Sequence, residues 1–141
     1  MEETQQKLLE KLKEIVANNE FANYIGMELL DADVGYARAR MQLKKQHKNI
    51  YGNMHGGCAF TLADTLAGVA VVSFGETVTT LNASVNYMKP VTNTEYLYCD
   101  ANVKRHGGKV SVVQVELTND DGELLINGSF TYYHIKMGLC I

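Results

Sequence analysis

Residues 58–74 read CAFTLADTLAGVAVVSF. Small and apolar side chains occupy nearly every side of the helix this stretch would form, and such a helix belongs at the centre of a fold rather than on its surface. The run is too short, and too interrupted by Asp64, to be read as a membrane span. Asp64 is the conspicuous residue. A carboxylate without a partner in such surroundings costs several kcal/mol of desolvation. An acid placed there beside a cleft is a natural general base or nucleophile. It is equally a residue type that serves as a structural carboxylate bonded to a neighbour.

Immediately upstream, residues 49–57 read NIYGNMHGG. Two glycines ahead of a helix let the backbone approach a ligand closely. The free N–H groups of the first turn then point out of an end that carries partial positive charge. An oxygen that becomes negative during a reaction is stabilised in such a place. Asn49 and His55 add side-chain polar groups. A Gly-Gly pair before a helix is also a common turn, so neither feature alone defines a site. Their joint occurrence at this separation strengthens the case for one.

The flanks complete an α+β pattern. Residues 3–19 have Leu8, Leu12, Ile15 and Val16 at helical spacing among Lys and Glu, which predicts an amphipathic helix. A short helical turn is expected over 21–25, closed by Gly26. Residues 27–43 predict two strands bent at Gly35, with Ala37, Ala39, Met41 and Leu43 alternating against polar partners. After the apolar helix come strand-like stretches over 78–89, 95–104, 109–118 and 123–136. Asn119-Asp120-Asp121-Gly122 is a hairpin turn signal. One antiparallel sheet wrapped around one apolar helix satisfies this order.

The chain has 141 residues, which suits one domain with one core. A formal net charge of −3 gives nucleic-acid binding no global support. The three cysteines, Cys58, Cys99 and Cys140, are widely spaced and odd in number. The histidines His47, His55, His106 and His134 show no ligand spacing along the chain. These features predict a reducing cytoplasm, no disulfide framework and no metal. The charged N-terminus MEETQQKLLEKLKEIV lacks the apolar core of a signal peptide.

The pattern N-x(5)-H-G-G-x(6)-L-A-D, running from Asn49 to Asp64, resembles the phenylacetic-acid-degradation (PaaI-like) branch of the hotdog-fold thioesterases. The likeness extends over about residues 21–136, through GMELLDADVGYARARMQL, Asn86-Tyr87-Met88-Lys89-Pro90, and the stretch from Val103 to Tyr133. It implies a single hotdog domain over 1–141 and an acyl-CoA thioesterase that needs no cofactor beyond the CoA of its substrate. It further implies a homodimer with active sites between subunits, and dimers pairing into tetramers. Asp64 matches the carboxylate that activates water or attacks the thioester. Gly56 matches the oxyanion-hole donor, Asn49 the side chain beside the thioester, and His55 the histidine near the departing sulfur. Thr80 falls where some members carry a serine that supports the water. Lys104, Arg105, His106 and Lys109 match the region that holds the CoA phosphates, with Lys89 and Lys136 as weaker candidates. Tyr96, Tyr98, Tyr132 and Tyr133 are expected to pack the sheet. The alternatives are a non-catalytic acyl-CoA-binding hotdog module, or a hotdog hydratase or dehydratase.

Overall fold

The computed structural model describes residues 3–135. Lys136 and Cys140 lie outside the described residues. Two helices lead the chain, α1 (Glu3–Ala17) and α2 (Glu20–Ile25), followed by strands β1 (Met27–Asp33) and β2 (Tyr36–Gln42). A single 3₁₀ turn (Lys45–His47) and an irregular loop lead into the long helix α3 (Gly56–Val72). Four strands close the chain: β3 (Thr77–Tyr87), β4 (Tyr96–His106), β5 (Val110–Thr118) and β6 (Leu124–Ile135).

All six strands form one antiparallel sheet in the order β1-β2-β4-β5-β6-β3. Its concave face wraps α3. Along each central strand alternate residues point inward: Ala37, Ala39 and Met41 from β2, Leu97, Cys99 and Ala101 from β4, and Val113, Val115 and Leu117 from β5. They meet Leu62, Ala63, Leu66, Ala67 and Ala70 of α3, all fully buried or nearly so. Burial of each leucine contributes about 1.5–3 kcal/mol. The alanines contribute differently, by letting backbone approach backbone.

Helix α3 starts two residues earlier than its apolar run suggests. His55 caps it, its Nδ1 accepting the Gly57 N–H at 2.8 Å, so both glycines belong to the first turn. At the other end Ser73 Oγ donates to the Ala70 carbonyl at 2.6 Å and accepts the Gly35 N–H at 2.7 Å. This ties the helix to the β1–β2 turn, where Gly35 takes φ +78°, a conformation that favours glycine.

The sequence predicts the strands but not their neighbours. β3 follows α3 in the chain yet crosses to the far edge and pairs with β6 alone. The expected hairpin turn forms between β5 and β6: Asn119 Oδ1 accepts the N–H groups of Asp121 and Glu123, and the Gly122 N–H donates to the Asn119 carbonyl.

Candidate active site

The loop before α3 is organised by Asn49. Its Oδ1 accepts the N–H groups of Tyr51 at 2.9 Å and Asn53 at 3.2 Å. These bonds fix the amide orientation, and Nδ2 has no acceptor among the described residues. His55 turns its Nδ1 inward to cap the helix, so its Nε2 faces out from an exposed ring. The Gly56 carbonyl accepts the Tyr87 hydroxyl at 2.9 Å, and a Cβ at Gly56 would lie 3.4 Å from the Tyr87 ring. Among the described residues the Gly56 N–H donates to nothing, as expected for the first residue of a helix. Asn49, Met54, Gly56, Tyr87, Pro90 and Ile126 line a groove of about 350 Å³ at this end.

Asp64 is half-buried rather than enclosed. Its Oδ1 accepts the Thr80 hydroxyl at 2.8 Å, and the Tyr132 hydroxyl lies 2.8 Å from the same oxygen and 2.5 Å from the Asp64 carbonyl oxygen. Oδ2 has no hydrogen-bond partner among the described residues. Tyr132 is buried. That burial, followed by the nearby Asp64 charge, holds its pKa far above the ordinary phenol value, so it stays a donor. The contact adds to the expected packing role of Tyr132. It packs, with its ring against Gly68 of α3, and its hydroxyl also orients the acid. No local motif announces this, because Tyr132 and Asp64 are 68 positions apart.

Asn49, Gly56 and His55 thus gather at the N-terminus of α3, and Asp64 and Thr80 gather along its flank. Gly56 and Asp64 are eight positions apart, about 12 Å of helix. The two groups of one chain cannot both touch one carbonyl carbon.

The basic residues expected at the β4–β5 turn have different surroundings. Lys104 reaches the outer face of the sheet, where it lines a polar groove of about 440 Å³ with Asn86, Asn102, Gln114 and Glu116. His106 instead places Nε2 against the Glu76 carboxylate and stacks its ring on Phe74, centroids 3.9 Å apart. Arg105 and Lys109 are exposed. With Lys104, they form no salt bridge among the described residues. Lys89 is paired with Glu123. Tyr96 and Tyr98 pack as expected, beneath the guanidinium groups of Arg40 and Arg38.

The family model of the thioesterase superfamily matches residues 51–126. The chain belongs to that superfamily. Human acyl-coenzyme A thioesterase 13 is 28% identical over 89% of this chain and 93% of its own length. The acyl-coenzyme A thioesterase PaaI of Escherichia coli is 28% identical over 72% of this chain and 73% of its own. The solved structure of the E. coli PaaI protein covers 96% of this chain and 99% of its own, with TM-score 0.90 and 22% identity; it establishes the hotdog fold. A thioesterase protein of Streptococcus pneumoniae, solved with coenzyme A, covers 85% of this chain and 96% of its own, with TM-score 0.80 and 28% identity. That protein has also been solved with an aspartate and, separately, a threonine replaced by alanine. Those two lie as far apart in its chain as Asp64 and Thr80 do here, 16 positions. This thioesterase is therefore a thioester hydrolase of the PaaI-like, hotdog-fold branch. No helix among its described residues is long and apolar enough to cross a membrane.

Proposed function

We propose that this thioesterase hydrolyses acyl-CoA to free acid and CoA at a site assembled from two copies of the chain. One copy supplies the Gly56 N–H, Asn49 Nδ2 and His55. The other supplies Asp64, with Thr80 and Tyr132 behind it. The observation that carries this reading is the geometry of α3: an unsatisfied N–H at its start, and a carboxylate with a free oxygen about 12 Å further on. That carboxylate lies beside β3, an edge strand with no neighbour on its outer side among the described residues.

The thioester carbonyl oxygen binds at the Gly56 N–H, with the Asn49 amide beside it. Oδ2 of Asp64 from the other copy takes a proton from water, and the hydroxide attacks the carbonyl carbon. The oxygen becomes an oxyanion held by the Gly56 N–H, a contact typically worth about 10²–10³ in rate. Collapse re-forms the C=O bond and expels CoA as a thiolate, which accepts a hydrogen bond from the outward-facing His55 Nε2–H and takes its proton from solvent. The carboxylic acid leaves, and Asp64 returns its proton to solvent. Attack by Asp64 itself gives an acyl anhydride that water then opens. Single turnover in ¹⁸O-water separates the two routes, because only the anhydride route leaves label in the aspartate.

The scheme needs no cofactor, since a thiolate is a good leaving group. Arg105 and Lys109 are the basic residues of the β4–β5 turn best exposed to meet CoA phosphates, with Lys104 on the outer sheet face. In this reading the 141 residues work as one cytoplasmic hotdog domain in a dimer that pairs into tetramers. A thiol-release assay across acyl-CoA chain lengths tests it. Asp64→Asn is expected to keep substrate binding within a few-fold and to lower kcat by at least about 10²–10³. Near-normal turnover by that variant would overturn the mechanism.

A further inference from the structure

At the opposite end of α3 from the Gly56 groove, three residues from separate strands converge. Glu76 stands just ahead of β3, His106 ends β4, and His134 lies near the end of β6. One carboxylate oxygen and one nitrogen from each imidazole all lie within 4.8 Å of one another. We propose that Glu76, His106 and His134 form a binding site for a divalent transition metal of the Zn²⁺ or Ni²⁺ class, separate from the thioesterase chemistry.

The donor set is two imidazoles and one carboxylate, which suits these ions rather than Mg²⁺ or Ca²⁺. His134 presents Nδ1 to Glu76 Oε2 at 2.6 Å, and His106 presents Nε2 to Glu76 Oε1. Each ring is held by a second contact. His134 is buried, and its Nε2 lies 2.8 Å from the hydroxyl of fully buried Ser111. Such a bond on the nitrogen facing away is what orients a metal-ligating histidine. His106 lies flat on Phe74, the ring planes 7° apart. Phe74 is itself held against the β1–β2 turn, 3.2 Å from where a Cβ on Gly35 would lie.

Two features bear on affinity in opposite directions. The carbonyls of the last turn of α3 give this end partial negative charge, which favours a cation. A hollow of about 360 Å³ lined by Glu76, Gly108, Lys109 and His134 gives solvent a route in, but brings the exposed Lys109 near. A metal at 2.0–2.1 Å from each donor needs neighbouring donors roughly 3.3 Å apart in a tetrahedral shell. The 2.6 Å contact between His134 Nδ1 and Glu76 Oε2 is closer than that, so an entering ion must part the two. The chain-order spacing of the histidines gave no hint of this cluster, because β-sheet pairing assembles it.

The test is equilibrium dialysis of the full-length protein, stripped with chelator, against micromolar Zn²⁺, with bound metal measured by mass spectrometry. Co²⁺ absorption serves as a second probe. The expected result is about one Zn²⁺ per chain, an intense visible Co²⁺ band, and a rise in Tm on adding Zn²⁺. Glu76→Gln and His106→Gln, at partly exposed positions, should each weaken binding at least tenfold, abolish the Tm rise and stay folded by circular dichroism. Cys58→Ser and Cys140→Ser should bind as the wild type does. Unchanged occupancy in the first two variants, loss in either cysteine variant, or no binding at 100 µM free Zn²⁺ would each overturn the proposal. None of these outcomes bears on the thioesterase mechanism.

Discussion

The two edges of the sheet are treated in opposite ways. At β1 the edge is covered. Leu9, Leu12 and Val16 of α1 are buried in the shared core, the Gln5 amide donates to the Ala32 carbonyl at 3.2 Å, and a bulge between Leu29 and Asp31 breaks the register. At β3 no strand among the described residues pairs along the outer side. Eleven residues run along it, and Thr79, Thr80, Leu81, Asn82, Ser84, Asn86 and Tyr87 are exposed. A long uncovered edge is a template for another strand, and proteins normally blunt one. The difference teaches that β3 is an unfinished surface. It is also the strand that carries Thr80 to Asp64, so the open edge and the proposed catalytic acid lie side by side.

The sharpest way to break this contrast uses two equally exposed apolar residues. Leu81 on β3 and Val34 at the β1–β2 turn are each 56% exposed. Leu81→Asp should dissociate the protein in analytical ultracentrifugation and lower kcat/KM at least about a hundredfold, by separating the two halves of the site. Val34→Asp should change neither. Equal effects from the two substitutions would remove the distinction between the edges.

A smaller effect is expected from the hydroxyls behind Asp64. Tyr132→Phe keeps the ring against Gly68 but removes the donor to Oδ1. It should lower kcat about tenfold, or about 1.4 kcal/mol, with KM nearly unchanged. Thr80→Val should do somewhat less, since Tyr132 remains. A rise in KM at constant kcat would instead assign these groups to substrate binding.

The smallest effect concerns the closed part of the molecule. His47 is 4% exposed beside Ile25 of α2 and Gln42 of β2, in the loop leading to α3. Burial holds its pKa below the ordinary value, with nearby Lys44 acting the same way. A folded-state pKa below the unfolded one means that its contribution is complete above about pH 6.5 and is lost as pH falls through the folded value. Urea midpoints should therefore drop between pH 7.5 and pH 5. His47→Gln, though less stable overall, should show a smaller drop.

The parts of this account legible in the sequence were those carried by local contrast. An aspartate in an apolar helix and two glycines before it stand out, and the strand alternation marks which residues face inward. Alternation says nothing about which strand is the neighbour, so the placement of β3 at the far edge was not legible. Tyr132 on Asp64, Tyr87 on the Gly56 carbonyl, and the meeting of Glu76 with His106 and His134 depend on that pairing. The run Lys104-Arg105-His106 shows the same limit. Residues adjacent in a strand point to opposite faces, and a bulge between Val103 and Arg105 shifts the register further. Lys104 and His106 therefore end in unrelated surroundings.

The most direct test of the shared site is complementation between two inactive variants. Asp64→Asn and Asn49→Ala damage opposite halves, so each alone should be nearly inert. When the two are unfolded together and refolded at equal concentration, random pairing makes half the dimers mixed, and each mixed dimer holds one intact site. The account predicts recovery of about a quarter of wild-type activity. Activity that remains at the average of the two separate variants would contradict it.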